Sequence, residues 1–370
     1  MSARTPEIRA LTGLRGAAAC WVMVYHTAYR PPTGTPLGQL IHHGYLSVDL
    51  FFILSGYVLA LNYGEWFGDA GGGGRYLAFL HKRFARIYPL YVVVTAIAVA
   101  AMATRHRVPV AGIAANLLLV QSWHTGFTSI DGPSWAISCE LSAYLLFPWF
   151  CRALLFGGRA ACGIGLGLAA LVIAGLAIVP DSWLGETGFR SGPLDIWIGS
   201  GFGPVLRCLA EFAVGVALFR ASRHPLGESL RSAGFLWVGI AGVVLGLLCL
   251  PGTDVAVVAL FAALVFGLSA DTGPLASLVG SAPVFFLGVI SYSIYLVHDP
   301  MLSGLQLLFS RAALVPHGLA RAVLAWAAIL GVSTATYATI ERPARGWINR
   351  LGGPFLPAAA LPLDGTGGGR

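Results

Sequence analysis

Two ionisable residues stand in the first apolar run, LTGLRGAAACWVMVYH, where contact with lipid would disfavour both: Arg15 and His26. They are eleven residues apart. At 100° and 1.5 Å per residue, a helix sets them about 20° apart around its axis and about 16 Å apart along it. One helix face then carries a guanidinium near one end and an imidazole about three turns away. Imidazole titrates near neutral pH and is the side chain best suited to take a proton from a hydroxyl. A guanidinium can hold an anion or stabilise an oxygen that is gaining negative charge. Snorkelling of Arg15 and an interhelical hydrogen bond from His26 are the competing structural explanations.

Three further stretches carry similar anomalies. In HKRFARIYPLY, Arg83 and Arg86 lie one helical turn apart with Lys82 beside them. Paired guanidiniums suit phosphate through bidentate hydrogen bonds, although cytoplasmic anchoring explains the same cations. In PSWAISCELSAYLLFP, Glu140 lies inside an apolar run, and Asp49 does so in GYLSVDLFFILSGY. Each carboxylate needs a cation, a hydroxyl or a histidine, or else must take up a proton. Pairing of Asp49 or Glu140 with a buried arginine is the structural alternative. The stretch SYSIYLVHDP sets Tyr292, Tyr295 and His298 on one aromatic-rich helix.

The elements that must position these groups are membrane helices. Of 370 residues, 56% are hydrophobic and 11% charged, and the mean hydropathy is +0.76. A soluble domain of this length needs far more surface charge. Apolar windows fall near 11–29, 44–63, 84–103, 108–122, 134–156, 160–179, 203–221, 233–250, 254–270, 282–309 and 318–340. The fourth is short for a crossing. Keeping most Arg and Lys groups on one side requires one window not to cross, and 108–122 is expected to be re-entrant or short. The expectation is an all-α bundle of about ten spans with both termini cytoplasmic, and with Arg105 and Arg107 facing outward. Residues 1–350 form one membrane-embedded domain, followed by a flexible tail at 351–370; GDAGGGG from Gly68 to Gly74 has linker composition. Arg15 interrupts the first run, so a cleaved signal peptide is not expected. The net charge of +7 lies between apolar runs, which points to anionic lipid rather than nucleic acid. The six cysteines show neither metal spacing nor a disulfide framework and read as small packing residues.

In order, LTGLRG with His26, GYLSVDLFFILSGY, RFARIYPLY, SWAISCELSAY, SYSIYLVH and IERPAR cover about residues 9–345. Together they resemble the bacterial acyltransferase-3 membrane proteins, O-acetyltransferases of surface polysaccharides, nodulation factors and some antibiotics. The resemblance associates Arg15, His26, Arg83, Arg86 and Glu140 with activity. Ala136 stands where the family usually has the first serine of its Trp-Ser-x-Ser-x-Glu motif, while Ser138 is kept. Some relatives add a C-terminal esterase-like domain; this chain is expected to act alone or with a partner protein.

The chemistry expected from this resemblance is transfer of an acyl group, acetyl on family grounds, from cytoplasmic acyl-CoA to a hydroxyl of a carbohydrate or glycoconjugate. His26 is the expected general base, with Glu140 or Asp49 orienting the imidazole. Arg83, Arg86 and Lys82 suit the phosphates of acetyl-CoA, and Arg15 suits its pyrophosphate or the thioester oxygen. Trp135, Ser138, Tyr292 and His298 are assigned to the acceptor. No metal is required, and the resemblance places the chain in a bacterial inner membrane. The alternative is a transporter or flippase of a lipid-linked or acylated glycan, for which buried Arg, His, Asp and Glu would serve a proton-coupled path.

Overall fold

A computed structural model describes residues 7–27, 31–68, 73–103, 108–184, 190–197, 202–311 and 318–351. Arg105, Arg107 and the expected tail beyond Leu351 lie outside these residues. Regular structure among the described residues is helical throughout. In a bilayer every backbone amide must find its partner within the protein, and a helix does this within one segment.

The helices in chain order are α1 (Arg9–Tyr25), α2 (Pro36–His42), α3 (Ser47–Tyr63), α4 (Gly73–Ala103), α5 (Val110–Leu117) and α6 (Trp135–Phe150). Then come α7 (Arg159–Ile178), α8 (Asp181–Leu184), α9 (Gly203–Ser222), α10 (Pro225–Arg231), α11 (Gly234–Leu248) and α12 (Asp254–Leu268). The last five are α13 (Pro274–Val279), α14 (Ala282–Val289), α15 (Ser291–Arg311), α16 (Leu319–Thr336) and α17 (Arg342–Leu351). Four helical segments are long and apolar enough to cross a membrane, or six if two bent pairs are each one span. The bends are 69° between α10 and α11 and 67° between α14 and α15.

Most apolar windows of the sequence fall on helices, with instructive departures. The eight-residue α5 is about 12 Å long, too short to cross, as expected of 108–122. The third window begins earlier than its apolar run. Helix α4 starts at Gly73, so two glycines of the expected linker are helical, and Arg83 and Arg86 lie well inside a 31-residue helix. The 282–309 window is two helices, because the chain bends at Ile290.

Burial separates the centre of the bundle from its rim. In Pro36–Phe67, 78% of the most apolar window is buried, against 17% in Arg159–Ile178. Helix α3 is therefore central, whereas α7 presents Leu168, Leu171 and Ile178 outward. Small residues let the central helices touch. A Cβ on Gly56 of α3 would collide with the Phe212 carbonyl oxygen of α9, and one on Gly215 of α9 with that of Ile53. The same device joins α1 to α14 through Gly16 and Gly288. All six cysteines are free thiols, three of them buried.

Candidate active site

A cavity of about 360 Å³ lies among α1, α3, α4, α6 and α15. Its wall is mostly apolar, and the polar groups on it include Arg15, Ser55, Arg83, Arg86, Glu140 and Tyr292, with Glu7, Thr12, Asn62 and Ser291 also in the lining. That pattern, an apolar pocket with a small polar constellation, is what a ligand site requires.

Each guanidinium is held differently. Arg15 donates from Nη2 to the Gly288 carbonyl oxygen at 3.0 Å. Arg83 donates from Nη2 to the Tyr63 hydroxyl at 3.0 Å, with its guanidinium 5.0 Å from the centre of that ring. Arg86 forms an ion pair with Glu341, whose other oxygen accepts the Ser293 hydroxyl at 2.9 Å. Glu341 ends a π-helical turn, Tyr337–Glu341, and is 1% exposed. Such turns shift the register of a helix and recur at functional sites. Two donors stay unused: Arg15 Nε and Arg83 Nε are buried with no acceptor among the described residues. An unmade hydrogen bond to a buried charged group is costly, so these donors fit oxygen atoms of an anionic or carbonyl-bearing ligand.

Glu140 accepts a hydrogen bond from Ser55, one turn beyond Phe51 on α3. Tyr292 donates to the Ile87 carbonyl oxygen at 2.5 Å, and the Arg86 guanidinium lies 5.8 Å from its ring centre. Lys82 is one residue before Arg83 on α4 but outside the cavity wall.

His26 lies elsewhere. It caps the C-terminal end of α1, exposed, with its ring centre 5.0 Å from that of His298 on α15. Its Nδ1 lies 2.9 Å from the Val22 carbonyl oxygen, and Nδ1 of His298 lies 3.2 Å from that of Ile294. A carbonyl oxygen can only accept, so each neutral ring carries its hydrogen on Nδ1 and its lone pair on Nε2. His298 is fully buried, and its Nε2 has no partner among the described residues.

The remaining candidates, Asp49, Trp135 and Ser138, do not line the cavity. Asp49 is fully buried and receives Arg207 through both oxygens, the Nε contact being 2.9 Å. Glu211 lies 3.8 Å from the same Nε, and the Trp135 ring centre is 5.9 Å from the guanidinium. Asp49 and Trp135 thus belong to a buried cluster around Arg207. Ser138 donates to the Leu119 carbonyl oxygen at 2.8 Å and accepts from the Ser122 amide at 3.2 Å, fixing the turn after α5.

The fold therefore brings Arg15, Arg83, Arg86, Glu140 and Tyr292 to one cavity, and His26 and His298 to a second place on the same two helices. Sequence reasoning assigned no role to Ser55, Arg207, Glu211, Tyr295 or Glu341. Arg207 and Glu211 carried a legible signal, since they form an i,i+4 ion pair inside an apolar run.

Comparison with known proteins identifies the family. A model of the acyltransferase-3 family, described as an acyltransferase domain, matches residues 8–340. The chain belongs to this family. It is 30% identical over 397 aligned positions to acyltransferase MdmB of Streptomyces mycarofaciens, covering 99% of this chain and 98% of that protein. It is 23% identical to peptidoglycan O-acetyltransferase OatA of Listeria monocytogenes over 94% of this chain and 57% of the relative. A shorter match, 41% identical over 26% of this chain, is to protein 2 in the picA locus of Rhizobium radiobacter and covers 47% of that protein. No solved structure matches. The protein is a membrane-helical acyltransferase.

Proposed function

We propose that the protein transfers an acetyl group from acetyl-CoA, bound from the cytoplasmic side, to a hydroxyl of a carbohydrate acceptor at the His26 end. The observation that carries this reading is the sharing of α1 and α15 by two dissimilar sites. Toward the N-terminal ends of these helices, Arg15 and Tyr292 line the cavity; toward the C-terminal direction come His26 and His298. Support for a carbohydrate acceptor comes from OatA, whose name gives peptidoglycan as its target. A lipid-facing multi-pass topology of about ten spans in a bacterial inner membrane, with both termini cytoplasmic, goes with this reading.

In the proposed reaction, Arg83 and Arg86, with Lys82 nearby, hold phosphate oxygens of the donor. The unused Nε–H of Arg15 meets the pyrophosphate, since the thioester must reach His26 about three turns away. His26 Nε2 takes the proton of the acceptor hydroxyl as its oxygen attacks the thioester carbonyl carbon. The new C–O bond forms, the C–S bond breaks, and the departing thiolate takes the proton back from the imidazolium. The Val22 carbonyl, facing Nδ1, fixes the tautomer that makes Nε2 the base. Glu140, held by Ser55, stays with the donor cavity rather than orienting the imidazole, and Asp49 is committed to Arg207. His298 buttresses His26 on the acceptor side.

The test is incubation of purified protein with acetyl-labelled acetyl-CoA and a panel of glycans. Label on the glycan and free thiol should appear in equal amounts. His26→Ala should lower transfer by about 100-fold or more while donor binding persists. An intact thioester with every acceptor, or wild-type transfer by His26→Ala, overturns the proposal.

A further inference from the structure

The residues that line the cavity stop short of the imidazole pair. On α15, Ser291, Tyr292 and Tyr295 line the cavity, whereas His298, one turn further on, does not. On α1 the lining ends at Arg15, about three turns before His26. Tyr295 stands at the boundary. Its ring faces the cavity together with Phe51, which meets it edge-on at 5.7 Å between centres. The same ring lies 5.9 Å from the imidazole of His298, which in turn lies 5.0 Å from His26. One hydrogen bond tethers it: the phenol donates to the Pro133 carbonyl oxygen at 2.9 Å, in the turn Gly132–Ser134 just before α6.

We propose that Tyr295 is the residue that separates the donor cavity from the imidazole pair and makes the enzyme transfer its acyl group to a hydroxyl rather than to water. This inference rests on the donor and acceptor sites proposed above. His26 is exposed, and on the outward face proposed above water reaches the imidazole side directly. With the phenol seated on Pro133, water at His26 has no straight path to a thioester in the cavity. The acyl end meets the base only when the ring of Tyr295 turns aside, and that requires its hydrogen bond to Pro133 to break. An acceptor filling the His26 end excludes water at that moment, whereas an open passage without acceptor leads to hydrolysis. In that side reaction His26 Nε2 takes a proton from water, and the hydroxide oxygen bonds to the thioester carbonyl carbon. The C–S bond breaks, and acetate and coenzyme A thiol leave in equal amounts.

The ring also sets how far an acyl group reaches past the cavity. A phenol at 295 stops a chain that a methyl there would let pass.

The decisive experiment compares wild type, Tyr295→Phe and Tyr295→Ala as purified full-length proteins. Acetyl-CoA and octanoyl-CoA are the donors, each with and without a glycan that the wild type acylates. Tyr295→Ala should raise acceptor-free hydrolysis of acetyl-CoA at least fivefold, lower transfer at least tenfold, and favour octanoyl-CoA relative to wild type. Tyr295→Phe keeps the ring and loses only the tether, so hydrolysis should rise about twofold while transfer stays within threefold. A misfolded protein would lose both activities, and it could not raise hydrolysis. Unchanged partition between hydrolysis and transfer in both variants, with the wild type active, overturns the role of Tyr295 alone. A wild type that consumes no thioester overturns the underlying functional reading and this inference with it.

Discussion

Arg15 and Gly288 fasten α1 to α14. The guanidinium donates from Nη2 to the Gly288 carbonyl oxygen at 3.0 Å, and the bare Cα of Gly288 lets α14 press against the turn of α1 that precedes Arg15. A methyl on Gly288 would collide with the carbonyl oxygen of Thr12, a backbone atom that cannot swing away. Gly288→Ala should therefore push α1 and α14 apart. The expected loss is about 1–3 kcal/mol of stability, with displacement of Arg15 and a fall in transfer. Gly239→Ala in α11 is the control, since an added methyl there meets nothing within 4 Å. Its thermal midpoint in detergent should be unchanged or raised, because alanine favours a helix by about 1 kcal/mol over glycine. Equal effects of the two substitutions would refute the packing argument.

The buried cluster around Arg207 separates scaffold from catalysis. Asp49 binds the guanidinium through two oxygens, whereas Glu211 only approaches it at 3.8 Å, and both Glu211 oxygens lack hydrogen-bond partners among the described residues. Asp49→Ala should leave a buried cation poorly paired and cost about 3 kcal/mol or more. Glu211→Gln should cost far less, because it replaces a carboxyl group that makes no hydrogen bond among the described residues. Thermal unfolding in detergent gives the ranking. If Asp49→Ala unfolds at the wild-type temperature but is inactive, Asp49 acts in the chemistry and this assignment falls.

Arg83 and Arg86 should be distinguishable by which kinetic constant moves. Arg83→Gln loses a cation at the cavity wall whose Nε–H is unused among the described residues. A charge-assisted hydrogen bond contributes about 1.5–3 kcal/mol, so donor KM should rise roughly 10- to 100-fold with little change in kcat. Arg86→Gln should in addition lower stability, because Glu341 would be left buried with Ser293 as its one hydrogen-bond partner among the described residues. A double variant, Arg86→Gln with Glu341→Gln, should recover stability but not donor affinity. Unaltered KM in both single variants, with a change in membrane orientation instead, would make these residues topology anchors.

How much of this was legible in the sequence depended on the range of the interaction. The helices were legible because apolar run length is a local property; α5 was recognisable as too short to cross for the same reason. Arg15, Arg83, Arg86 and Glu140 stood out because a charge in an apolar run is anomalous on any fold. What fills each charge was not legible. Asp49 and Glu140 looked alike, yet one meets Arg207, 158 residues away, and the other meets Ser55, 85 residues away. Only the packing of α3 against α6 and α9 decides between them. The separation of His26 from the cavity was equally hidden. A shared helix face gives angle and rise, whereas the ring that lies between cavity and imidazole pair, Tyr295, comes from a different helix.

Asp131 supplies a pH signature. It lies in the loop after α5, 2% exposed, and neither carboxylate oxygen has a partner among the described residues. Burial holds its carboxyl well above the ordinary carboxylate range, and the nearby charge of Asp299 pushes the same way. The fold thus favours the protonated acid. Below the ordinary value near 4 both folded and unfolded chains carry the proton, and no penalty exists. As pH rises, the unfolded chain ionises first, so the native state loses relative stability until the raised folded value is passed. Asp131→Asn mimics the protonated form at every pH. Its thermal midpoint should match wild type near pH 4 and exceed it increasingly toward pH 8. A tenfold rise in proton affinity corresponds to about 1.4 kcal/mol. A difference that is constant with pH, or largest in acid, would mean that the Asp131 carboxylate is ionised and compensated in the fold.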